Sequence, residues 1–124
     1  MTSPTPALAI IDGTLCRLTR KGTRAAGHAP LATAVVEFLQ SGPRIYVREH
    51  TCGLLPGLAN LYCLDGDFRL LWLAAWPDFA DPCATIAGEA DGILTATSLQ
   101  GATVRLEAET GRLLRCEVPL AVAS

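Results

Sequence analysis

The sequence predicts an all-β, mainly antiparallel fold, either a small sandwich or incomplete propeller-like sheets built from consecutive hairpins. Three observations carry this. Short apolar runs of strand length recur along the chain and are separated by clusters of Gly, Pro, Asn and Asp. An Asp-Gly pair sits between two such runs at Asp12-Gly13, where both central residues of a tight hairpin turn need positive φ. Residues 60–74 and 102–119 each read as a hairpin of one design, an apolar strand end, an acidic turn and an Arg-Leu-Leu restart.

The first hairpin runs from Ala7-Leu8-Ala9-Ile10-Ile11 through Asp12-Gly13 to Thr14-Leu15-Cys16-Arg17-Leu18. Residues 19–30 are polar and rich in Gly, Arg and small side chains, and read as a mobile loop. Residues 31–40 are ambiguous. Leu31, Ala34, Val35, Phe38 and Leu39 fall near helical spacing, yet Val35-Val36 and the stop at Ser41-Gly42-Pro43 suit a strand. A strand is favoured, with one short helix as the alternative. Ile45 and Val47 then alternate with Arg44, Tyr46 and Arg48, the period of a half-buried strand.

Residues 50–59, with Gly53, Pro56 and Gly57, break regular structure. The hairpin at 60–74 follows, then a Pro77, Asp78, Asp81 and Pro82 loop. Runs 83–87 and 92–97 flank Gly88-Glu89-Ala90-Asp91 as a further hairpin. Its counterpart at 102–119 closes the chain, apart from a frayed tail at 121–124. The tally is nine or ten strands in one domain spanning residues 1–124.

The bulk composition narrows the function. Half of the 124 residues are hydrophobic and 18% are charged, so the chain is globular, with an apolar excess that suits an interface with a partner or a second copy. A net charge of −2 is too small to attract nucleic acid or an anionic membrane. The basic residues Arg17, Arg20, Lys21 and Arg24 gather near the N-terminus without neighbouring aromatics, which suits a solvated turn. Five scattered cysteines with no C-x-x-C pair argue against a disulfide scaffold or a zinc finger. With only a short apolar run near Ala7, neither a signal peptide nor a membrane span is expected, and the expected compartment is the cytoplasm with reduced thiols.

The two matching hairpins align as Leu64-Asp65-Gly66-Asp67-Phe68-Arg69-Leu70-Leu71 and Leu106-Glu107-Ala108-Glu109-Thr110-Gly111-Arg112-Leu113-Leu114, offset by 42 residues before the turn and 43 after it. This design resembles the blade hairpin of quinoprotein-type β-propellers: Thr110-Gly111 carries one half of the pattern, Leu64-Asp65 with Leu71-Trp72 the other. Two blades cannot close a ring, so the resemblance implies no quinone site. Residues 44–119 also resemble small uncharacterised bacterial proteins, through Asn60-Leu61-Tyr62-Cys63-Leu64-Asp65, Asp81-Pro82 and Thr110-Gly111. That resemblance implies no catalytic residues. The chain departs from it in its longer N-terminus and at Leu99-Gln100-Gly101, where an aromatic residue would precede Gly.

Candidate chemistry is sparse. His50 and Cys52, with Glu49 adjacent, are the one close His and Cys pair and could serve as imidazole base and thiol nucleophile of an enzyme or ligand binder. Zinc would need further ligands from Cys63, Cys83 or His28, and the acids Asp65, Asp67, Asp78 and Asp81 lack the order of a calcium loop, so neither metal nor cofactor is expected. Turn acids that bond their own backbone account for the aspartates more simply.

Five of the seven aromatics, Tyr62, Phe68, Trp72, Trp76 and Phe79, fall within eighteen residues. They suit either a large core or an exposed anchor at Trp76-Pro77-Asp78-Phe79, with Tyr62, Trp72, Trp76 and Phe79 as binding residues. The expectation is a non-enzymatic protein-binding module, in one version a small inhibitor or immunity-type protein. The alternatives are an enzyme at His50, Cys52 and Glu49, or a structural homodimer that completes its sheet across a two-fold axis.

Overall fold

A computed structural model describes residues 7–119, and the expected tail at 121–124 lies outside them. The described residues form eleven strands in chain order. β1 (Ala7–Ile11), β2 (Thr14–Leu18) and β3 (Arg24–His28) make a three-stranded sheet. β4 (Val35–Ser41), β5 (Arg44–Glu49), β6 (Leu61–Leu64) and β7 (Leu70–Leu73) make a four-stranded one. β8 (Cys83–Ala90), β9 (Ile93–Ser98), β10 (Thr103–Glu107) and β11 (Leu113–Glu117) make a second sheet of four. Every neighbouring pair is antiparallel, so the fold is three consecutive meanders.

Local chemistry sets the turns. Asp12-Gly13 and Asp91-Gly92 both hold positive φ, 50° and 76° in the first and 52° and 76° in the second, as tight hairpins require. The second is tighter than the four-residue turn expected at 88–91, because Gly88, Glu89 and Ala90 remain paired in β8. The ambiguous stretch is strand from Val35 onward. Residues 19–30 are not one loop: residues 24–28 form β3. Its exposed and half-buried side chains lack apolar alternation, and β2 supplies its backbone partners.

Two cores result, one on each side of the middle sheet. Leu15, Val35, Ile45, Val47, Tyr62 and Leu64 pack between the first and second sheets. Tyr46, Leu61, Cys63, Trp72, Leu94 and Leu106 belong to the core between the second and third. Successive residues of β5 and β6 therefore serve opposite cores, and all four residues of β6 are buried.

Polar ties fix the third sheet against the second. The Asn60 side chain acts as an extra strand residue: its Oδ1 accepts from Cys83 N and its Nδ2 donates to Cys83 O, both at 2.9 Å. Glu37 accepts from Arg48 Nε at 2.7 Å and from Ile86 N at 3.0 Å. Ser41 donates to Glu89 at the opposite strand end.

The expected repeat is real and has a third copy that its sequence hides. The turns beginning at Thr19, Asp65 and Glu107 share one bonding pattern. The first residue's N–H donates across the turn to Thr23, Arg69 or Arg112, and its carbonyl accepts from Gly22, Phe68 or Thr110. Its side chain also serves the turn. Thr19 Oγ1 accepts from Thr23 N, Asp65 Oδ1 from Asp67 N and Arg69 N, and Glu107 Oε1 from the Thr110 hydroxyl.

The two halves of the repeat meet across the sheets. Trp72 Nε1 donates to Ala108 O at 3.1 Å, and Ala75 N donates to Gly111 O at 3.0 Å. Gly111 has φ of 76°, and a Cβ there would run into the Trp72 ring. Gly111→Ala is therefore expected to destabilise the fold by about 3 kcal/mol, combining overpacking with backbone strain. Urea unfolding followed by tryptophan fluorescence checks this; an unchanged midpoint would show that the ring can move aside.

Candidate functional site

The connections between sheets all leave from one end of the strands, where most of the candidate residues also lie. Glu49 ends β5 with its side chain 1% exposed. Its carboxylate accepts from Leu31 N at 2.7 Å, from Ala32 N and Thr33 N at 2.9 Å, and from the Tyr62 hydroxyl at 2.5 Å. Burial alone would raise its pKa, but the bonds from Thr33, Tyr62, Leu31 and Ala32 outweigh burial and hold it below the usual carboxylate range.

His28 completes the group, its Nε2 2.7 Å from the Tyr62 oxygen. Tyr62 has one proton and gives it to an acceptor-only carboxylate, so His28 Nε2 is the donor. Burial lowers the His28 pKa against the opposing pull of Glu49. Burial first, then the bond and charge of Glu49, push the Tyr62 phenol far up, so it remains protonated. The three residues form a line that braces residues 31–33 against β5 and β6. None of the three is freed for proton transfer to a substrate.

The expected triad does not converge. Glu49 points inward to residues 31–33. His50 Nδ1 accepts the backbone N–H of Cys52 at 2.9 Å, which commits the ring to its own loop. The Cys52 thiol is exposed. Cys63 and Cys83 are buried thiols whose pKa values burial pushes up to about 11 and about 12, far from thiolates at neutral pH. Among the described residues no group of three or more His, Cys, Asp or Glu side chains could hold a metal ion.

The aromatic cluster divides. Tyr62, Trp72 and Trp76 are 1%, 7% and 5% exposed and belong to the cores, which corrects their reading as surface anchors. An indole N–H satisfied by a backbone carbonyl is what makes this possible for each Trp. Trp76 Nε1 donates to Asp81 O at 2.8 Å and so pins the loop from beneath.

Asp78 Oδ1 accepts from Ala80 N, and the Asp81 carboxylate accepts from Gln100 N and the Ser98 hydroxyl. Both acids are thus consumed by turns. Phe79, between them, is left 46% exposed.

Opposite Phe79 lies the loop after β5, shaped by two turns closed by Leu54 N to Thr51 O and Leu58 N to Leu55 O. The two loops enclose a groove of about 350 Å³ lined by Leu54, Leu55, Pro56, Phe79, Ala80 and Pro82. Leu55 is 67% exposed. The sequence signal for this surface was confined to Phe79; Leu54 and Leu55 sit in a Gly- and Pro-broken stretch without periodicity. No protein-family model matches the chain, and no curated protein matches it significantly.

Two outcomes follow from the buried group. Glu49→Gln removes the charge and points an amide at three backbone donors, so stability is expected to fall by about 3 kcal/mol, read from the urea midpoint. Lowering the pH weakens the fold in two stages. His28 titrates lower folded than unfolded, so its contribution is present above its ordinary 6.5 and is lost as pH falls below that value. Glu49 follows the same sign, its contribution lost as pH falls below its ordinary 4.5. Thermal melts across this range check it: His28→Gln should remove the upper stage alone.

Proposed function

We propose that this chain is a non-enzymatic protein-binding module that takes an apolar segment of a partner protein between the two loops carrying Leu55 and Phe79. The observation that carries the reading is the groove itself. Large apolar side chains stand exposed on both walls, while the loops beneath are braced by Trp76, Asp81 and Asn60. Rigid loops with exposed apolar tips lose little conformational freedom on binding, which suits an interface. The separation of His50, Cys52 and Glu49 weighs against the enzymatic alternative.

A photo-reactive phenylalanine analogue at position 79 tests the reading in the native host, with the same analogue at Thr97, on the polar face of the third sheet, as control. One protein is expected to cross-link from position 79 alone. Its affinity for the purified chain is expected to fall about tenfold or more with Phe79→Ala, the size of a modest interface hot spot. Equal capture from both positions, or an affinity indifferent to Phe79→Ala, would remove the proposal.

A further inference from the structure

The connections gathered at one end of the strands share a charge pattern as well as the groove. Segments 11–14, 29–34, 50–60, 74–82 and 99–102 all lie at that end, and none of them contains Lys or Arg. Their charged side chains are Asp12, Asp78 and Asp81, with Glu49 beside them at the end of β5. The two histidines there are held within the fold, His28 by Tyr62 and His50 by the Cys52 N–H.

The bases lie elsewhere or are already paired. Arg20, Lys21, Arg69 and Arg112 belong to turns at the opposite end, and Arg24 and Arg44 begin the strands that leave it. Arg17 rests over the Phe68 ring in one of those turns. Arg48, the base nearest the connections, is bound to Glu37 at 2.7 Å, and Arg105 and Arg115 are both bound to Glu117. Charge is therefore separated along the strands, with carboxylates alone at the end that carries the groove.

The acidic end is also apolar. Leu31, Leu55, Phe79 and Leu99 are exposed there. Their backbones are anchored where Leu31 N donates to Glu49 and Leu99 N donates to Pro82 O at 3.0 Å. Asp78 belongs to the Phe79 wall of the groove. Asp12 lies on the side of the Leu55 wall: its neighbour Gly13 accepts from Val35 N, and Ala34 O accepts from His50 N, where the Leu55 loop begins. Asp12 and Asp78 are both exposed, and neither has an ion-pair partner among the described residues.

An apolar segment seated in the groove strips water from carboxylates at its margins, which costs free energy unless cations replace that water. Acidic flanks on the segment would add like-charge repulsion. Glu49 and Asp81 beneath the loops strengthen the same field, because salt screens buried charges less than surface ones.

We infer that the segment taken between Leu55 and Phe79 is cationic at its flanks, an apolar stretch of a partner protein bordered by Lys or Arg side chains that meet Asp78 and Asp12. This rests on the reading of the groove as a binding site and gives its partner a chemistry. The separation of charge also orients the approach, since the basic turns repel such a partner while the connection end attracts it. The same carboxylates turn away an anionic lipid surface.

Selection of a random peptide library displayed on phage, with the full chain as bait, tests this. Enriched peptides are expected to have apolar centres with Lys or Arg beside them, to exclude Asp and Glu, and to disappear when the bait carries Phe79→Ala. The affinity of such a peptide is expected to fall about fivefold at low salt when Asp12→Asn and Asp78→Asn are combined, through slower association, and the difference to close at high salt. Asparagine keeps the acceptor that Ala80 N needs and tolerates the positive φ at position 12, so the fold is retained. Asp91→Asn, in the matching Asp-Gly turn at the opposite end, is the control expected to change nothing.

Peptides that need Phe79 yet show no preference for Lys and Arg, or that favour Asp and Glu, overturn the inference and leave the groove standing as a binding site. An affinity indifferent to the paired asparagine variant does the same. Peptides indifferent to Phe79→Ala, or no enrichment at all, overturn both. Self-association of the chain that Phe79→Ala dissolves would seat a second copy in the groove and overturn the basic partner.

Discussion

Burial of both faces of the middle sheet is the constraint on which the rest of the molecule depends. Leu61, Tyr62, Cys63 and Leu64 are consecutive and all buried, two turned to each core. A sheet of this kind cannot exist alone in water, because each face would expose an apolar layer. The first and third sheets are the covers that make it possible. Slipping β6 by one residue against β5 would exchange the two faces and set Tyr62, with its hydroxyl bound to Glu49, into the core that Leu61 and Cys63 share with Trp72. The polar bonds therefore hold the register that the two cores require.

This accounts for the fate of the residues whose types suggest chemistry. Glu49, Asn60, Asp81, Tyr62 and Trp76 are all buried; Glu49, Asn60 and Asp81 bond backbone of another segment, Tyr62 bonds Glu49, and Trp76 bonds a carbonyl of its own loop. Short connections between stacked sheets leave backbone N–H and C=O groups without strand partners, and these groups must be satisfied where water is excluded. Carboxylates, an amide and an indole meet that need at the connection end. What remains available for recognition is the residue between the bonded ones: Phe79 stands exposed between Asp78, whose carboxylate accepts from Ala80 N, and Asp81, whose carboxylate accepts from Gln100 N and the Ser98 hydroxyl.

The fold class, the two matching hairpins and the strand at 35–41 were legible in the sequence, because each rests on local turn chemistry or on alternation along one strand. β3 was not legible. Its residues Arg24, Ala25, Ala26, Gly27 and His28 cover little apolar surface, and the strand exists through pairing with β2. The third turn was hidden for a related reason: Thr19 and Gly22 fulfil with a hydroxyl and a glycine what Asp65 and Glu107 fulfil with carboxylates. At the candidate site, residue type pointed to His50, Cys52 and Glu49 as neighbours in sequence. Strand alternation and the turn after β5 sent them to different surroundings. Likewise, aromatic density at 62–79 could not separate Trp76 beneath the loop from Phe79 upon it, since the difference lies in which group finds a backbone carbonyl.

Repetition sharpens what the exposed surfaces mean. A position that is apolar and buried in two sheets sets an expectation for the third, and departures from it mark where the surroundings of a sheet differ. On the third sheet the departure is toward polarity: Arg105 and Arg115 stand where the middle sheet has Cys63 and Trp72. That substitution ends the stack in water. On the first sheet the outward residues Ala9, Ile11 and Cys16 are apolar, and Cys16 is buried. The two outer faces of the stack therefore differ in kind, one polar and ion-paired, the other apolar.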